Sequence, residues 1–156
     1  MLKKILPLLI LALLMSAYLW QRTNTNHTPL ADNTLEAPYL VIDGRIIELE
    51  LADTTAKRTQ GLSDRESLCE NCGMLFVFQK KQVQSFWMKN MNFPLDIVWI
   101  DEDIIMDISK ELPPEGESPQ NIYTSNKPVD KVLELNSGYS EKYNLKIGTK
   151  ITYKLE

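Results

Sequence analysis

The sequence predicts a mainly β fold: a single compact β-sandwich or partly closed barrel with one or two short helices, preceded by an N-terminal apolar helix. Three observations carry that reading. Short runs of strand formers recur between Gly, Pro and Asp-Gly turn signals. Regular alternation of strands with helices is absent, and no internal repeat is visible. Of the 156 residues, 44% are hydrophobic, which fits a globular chain and argues against wholesale disorder.

Residues 1–22 read as an export signal or a membrane anchor. Lys3 and Lys4 precede an apolar run from Ile5 to Met15, an order that keeps the lysines in the cytoplasm and the rest outside. A cleaved signal peptide would need small residues before the cut, and the best candidate, ending at Ala17, has Met15 three positions before it. A retained anchor would run to Trp20, suited to the membrane interface. Its helix from Ile5 would be roughly 24 Å long, short for a ~30 Å hydrocarbon core unless the lysines snorkel. The retained anchor is the preferred reading, with a secreted or periplasmic domain if the segment is cut. Residues 23–37 then form a polar linker that holds the only histidine, His27.

Residues 38–156 form the predicted β domain. Tyr39–Ile42 and Arg45–Leu51 flank Asp43-Gly44, a two-residue hairpin signal. Thr54–Gly61 reads as a short helix, capped by Asp53 or Thr54 and stopped by Gly61. Gly73–Phe78 and Val83–Met88 are rich in strand formers. After Pro94, Leu95–Ile100 puts Ile97 and Trp99 on one side and Val98 and Ile100 on the other, a strand buried on both faces. Asp101–Asp103 turns the chain into Ile104–Ile108, and the proline-rich stretch 111–121 is expected to be a loop with nothing for a core. Val129–Leu135 and Lys150–Leu155 supply the last strands, with a helical turn at Ser140–Tyr143.

Several blocks follow one pattern in order: Lys57-Arg58-Thr59-Gln60-Gly61-Leu62, Gly73–Phe78, Phe86–Asn90, Pro94–Ile97, Val132–Leu135 with Gly138, and Ile147-Gly148. Together they resemble the domain-of-unknown-function family 192 over about residues 38–154. The resemblance implies a compact β-sandwich-like domain in a small bacterial or archaeal protein, often with an export or membrane segment. It implies no reaction. Ser63 stands where the family pattern usually carries Met.

Cys69 and Cys72 are the sharpest local chemical feature. In an exported chain such a pair reads as a small-loop disulfide. A redox role would need a depressed thiol pKa, and the neighbouring Glu66 and Glu70 oppose it. A zinc site needs about four ligands, and two Cys with one linker His are too few, so no metal or other cofactor is expected. Met88 and Met91 could offer soft ligands to Cu(I), but core filling is the commoner use of methionine.

Trp87, Lys89, Asn90 and Asp96 crowd a turn at Asn92–Pro94, and Glu134 stands between Leu133 and Leu135. Aromatic faces beside fixed polar groups suit a sugar or small-ligand site. Lys–Asp or Arg–Glu pairs tying strand ends together would use the same residues. Asp96 and Glu134 could also serve as a paired acid and base. Lys3, Lys4 and Arg22 are three of the 17 bases, leaving 14 against 21 acids in residues 23–156. A nucleic-acid partner is not expected of so acidic a domain. The preferred function is an extracytoplasmic, membrane-tethered module that binds a small molecule or an envelope component. The alternatives are a carboxylate-dependent envelope hydrolase and, third, a sulfur-based metal or redox protein.

Overall fold

A computed structural model describes residues 38–156; the predicted anchor, the linker and His27 lie outside the described residues. Two-residue turn chemistry starts the fold. Asp43 and Gly44 both take positive φ, 49° and 76°, the backbone that a tight hairpin turn demands. They join β1 (Tyr39–Ile42) to β2 (Arg45–Ala52). Thr54 then caps α1 (Thr55–Gln60), its hydroxyl accepting from Lys57 N–H, and Gly61 ends it at φ 51°. This helix carries the chain across to β3 (Cys72–Gln82), which pairs parallel to β2.

The remaining main strands are β5 (Leu95–Asp101), β6 (Ile104–Leu112), β8 (Val129–Asn136) and β9 (Ile151–Lys154), with a second helix α2 (Tyr139–Lys142). Seven strands form one sheet in the order β6-β5-β8-β3-β2-β1-β9, antiparallel except at β2–β3. The sheet curls until its edges meet at one end. There Ile105 N–H donates to Thr149 at 3.0 Å and Ile151 N–H to Asp103 at 2.7 Å. The described domain is thus a mainly β, curled half-barrel with two short helices. Of the two architectures the sequence suggests, the partly closed barrel is the nearer.

Both faces of this sheet are buried at its centre. One apolar cluster takes residues from all seven strands, among them Leu40, Leu75, Val98, Ile105 and Leu133, and fills the face the curl encloses. A second covers the opposite face with Phe76, Ile97, Trp99 and Val132. Strand β5 supplies both by simple alternation, as its sequence predicts.

Two expectations need correction. Val83–Met88 is not a main-sheet strand. Only Ser85–Phe86 is extended, as β4, paired with β7 (Tyr123–Thr124) in a separate two-stranded sheet. The apolar side of the segment is satisfied by stacking instead of pairing: Phe86 meets Phe76, Phe78 and Trp99 edge-on at 4.8, 6.5 and 5.7 Å. The stretch 111–121 does reach the core, because β6 extends to Leu112, which pairs with Leu95 and is buried in the second cluster.

Gly73 leaves no room for a side chain between β3 and β8. A Cβ there would lie 2.9 Å from Leu133 Cδ1 and 3.1 Å from the Glu134 carbonyl oxygen. Gly73→Ala is expected to destabilise the fold by about 1–3 kcal/mol, read from the midpoint of urea unfolding. An unchanged midpoint would show that the two strands can part at no cost.

Candidate functional site

The candidate polar residues separate across the sheet. Ile97 pairs with Glu134 and Asp96 with Leu135. Period-two alternation therefore sends Asp96 to the enclosed face and Glu134 to the opposite one. No paired acid and base can form between them.

Asp96 is fully buried and spent on backbone groups. Its Oδ1 accepts from Glu111 N–H at 2.9 Å and Gly138 N–H at 3.1 Å, and its Oδ2 from Ser140 N–H at 2.8 Å. Gly138 gives α2 no side-chain cap, so a carboxylate from another strand supplies one.

Lys89 and Asn90 act through the main chain. Ser63 Oγ donates to the Lys89 carbonyl at 2.8 Å, and Asp64 N–H to the Asn90 carbonyl at 2.8 Å. Asn90 takes φ 52°, a left-handed conformation that Asn tolerates well. These bonds hold the turn after α1 against the second face of the sheet.

That turn builds the wall of a cleft of about 420 Å³, within the range of small-ligand sites. Gly61 lets the chain dip, and buried Leu62 seats it on the sheet. Phe76 and Phe78 line the cleft from β3, with Phe86 and Trp87 opposite. Trp87 and Ile122 are 52% and 56% exposed and line the same cleft. Of the five ligand-binding candidates, only Trp87 and Glu134 line it; Met91, weighed as a soft metal ligand, lines it too. Gln84 and Leu62 are not among the candidates the sequence offers, although the Lys57–Leu62 block falls within the family pattern.

Glu134 is the unusual group. It is 5% exposed, and its Oε2 has no hydrogen-bond partner. Burial pushes its carboxyl up to about 8, with Arg65 opposing the shift weakly. Arg65 is engaged elsewhere, in a bidentate pair with Glu50 whose second bond is 2.7 Å. That pair holds the Glu50 carboxyl below its ordinary value. A second orphan, Gln84 Nε2, also belongs to a cleft residue. At neutral pH the cleft thus offers a protonated acid and an amide among aromatic rings.

The cysteines lie elsewhere and Met88 and Met91 in the core, with Met91 also lining the cleft. Cys69 and Cys72 sit at disulfide distance with Cα atoms 5.1 Å apart. Their turn is tied to the end of β8 by Asn136 Nδ2, which donates to the Cys69 carbonyl at 2.8 Å. Neither cysteine lines the cleft. Met88 and Met91 join the second core cluster on the same side, because the chain turns between them. Among the described residues no three His, Cys, Asp or Glu are grouped to hold a metal ion.

Two substitutions separate structural from functional carboxylates. Asp96→Ala strands three N–H groups, that of Ser140 buried and those of Glu111 and Gly138 partly buried, and is expected to cost about 3 kcal/mol. Glu134→Gln should instead change how stability depends on pH. The folded chain keeps the Glu134 proton from its ordinary value of 4.5 up to about 8, while the unfolded chain has lost it. Stability therefore falls as pH rises through that window, by up to about 1.4 kcal/mol per unit. Urea unfolding at pH 5 and pH 8 should show Glu134→Gln flattening this decline. Parallel pH profiles for the two proteins would refute the assignment.

Comparison with known proteins agrees with the fold. A crystal structure from Sinorhizobium meliloti, described as a candidate transcription regulator, is 31% identical, with a TM-score of 0.67 over 74% of this chain and 91% of that one. A protein of unknown function from Novosphingobium aromaticivorans gives the same identity and TM-score over 74% of this chain and 84% of its own. No curated protein matches. The family model described as an uncharacterised ACR covers residues 39–153, and the chain belongs to that family, domain-of-unknown-function family 192.

Proposed function

We propose that the chain is a small-ligand-binding or accessory module, tethered to the membrane by its N-terminal segment with the β domain outside the cytoplasm. The cleft carries the binding reading: an aromatic-lined cavity of about 420 Å³ beside a buried carboxyl whose Oε2 has no partner. A purely structural cavity would gain nothing from burying such a group, since an unpaired polar atom costs about 1–3 kcal/mol. Function explains the cost when a ligand supplies the missing bond. Two basic residues before an apolar run support the location, as does a cysteine pair at disulfide distance. The membrane is then one partner, and a small molecule or envelope component is the other.

The cleft is testable with the uncharged fluorophore N-phenyl-1-naphthylamine. Titration of the full chain should give saturable emission, with Trp87→Ala weakening binding about 5- to 30-fold through the lost aromatic wall. Equal affinity in both proteins would move the probe elsewhere and overturn the reading. For location, protease added to intact cells stripped of any outer layer should degrade the domain. Resistance until lysis would place it inside.

A further inference from the structure

We infer that the cleft selects an organic ammonium ion with an apolar body, Glu134 being its counter-ion and the aromatic rings its cage; the inference rests on the binding role proposed for the cleft. Phe76, Phe86 and Trp87 line this one cavity, together with Phe78, whose ring already carries Arg58. Ring faces attract a cation and do nothing comparable for an anion. The only carboxylate-bearing side chain in the lining is Glu134, 5% exposed and lacking a partner at Oε2.

The neighbouring cations are already engaged. Arg58, the one basic residue of the lining, donates to the carbonyls of Asp53 at 2.7 Å and Val77 at 3.0 Å and lies over the Phe78 ring. Arg65 is held by both oxygens of Glu50. The strands beside Glu134 present only Met74 and Ile97 to it. Arg65, Glu50 and Arg58 are therefore the charged groups that face this part of the sheet. No further carboxylate of the lining could take an ammonium in place of Glu134.

Binding is then a proton exchange. Free Glu134 is protonated at neutral pH, since its carboxyl sits at about 8. When R–NH₃⁺ enters, Glu134 gives its proton to solvent, and the carboxylate pairs with the ammonium. One cation is gained and one proton is released, so the charge of the site does not change. A neutral or anionic guest would leave the proton in place.

Phenethylammonium, 2-phenylethanol and 3-phenylpropionate share one aromatic body and differ in charge. Calorimetric titration of the full chain in buffers of different ionisation enthalpy should show phenethylammonium binding at least about tenfold tighter than either analogue at pH 8. It should release about 0.9 proton at pH 7, and its affinity should rise about fivefold from pH 7 to 8. Glu134→Gln should abolish the proton release and the pH dependence while 2-phenylethanol still binds, which shows the cleft intact. Preferred binding of the alcohol or the acid, or ammonium binding without proton release, would overturn the inference and leave the cleft as a ligand site. If none of the three saturates, the inference and the binding role both fall.

Discussion

Burial of β5 and β8 on both faces is the constraint from which the rest follows. A strand covered on one side needs one core; these two need a core on each side, and the chain supplies them differently. The enclosed face is filled by the curl of the sheet, which draws on all seven strands. The outer face must be covered by what the strands leave over: the turn after α1, the small β4–β7 sheet, and the segment holding Met88 and Met91. A cover assembled from several loops closes less completely than a curled sheet. The cleft is the gap where its pieces meet.

That arrangement also explains why two buried carboxylates are partnered so differently. Asp96 meets three N–H groups on its face, all donating to its carboxyl oxygens. Glu134, on the other face, meets methionine, isoleucine and phenylalanine, with the nearest guanidinium committed to Glu50. Strand alternation alone places one acid in a backbone cradle and the other in an apolar slot.

Local chemistry made much of the fold legible. Asp43-Gly44 marks its hairpin, Thr54 and Gly61 bound their helix, and Ile97 to Ile100 reads as doubly buried because both alternate sets are apolar. Register is not local. Nothing in residues 95–100 tells that Ile97, rather than Asp96, lies beside Glu134, and a slip of one residue would have put both acids on one face. Val83–Met88 has strand composition, but its place on top of the sheet depends on three rings contributed by β3 and β5. Leu112 was hidden by its prolines: Pro113 and Pro114 follow it immediately, so a core residue ends a strand at the edge of a loop. Glu134 and Trp87 were visible as unusual residues, whereas the wall provided by α1 and its turn belongs to a crossover whose landing point the sequence does not state.

The pairing of β1 with β9 has a bearing on when this domain can fold. Tyr39 lies opposite Lys154 and Ile42 opposite Ile151, so β1 waits for a partner far along the chain to emerge. A ribosome making the chain releases the first partner more than a hundred residues before the second. Until then β1 can form a hairpin with β2, but its other edge stays bare, a template for unwanted pairing. Completion is therefore a late, long-range event, slow by the usual relation between topology and rate. An unfinished chain therefore stays open and threadable until its last partner strand is made.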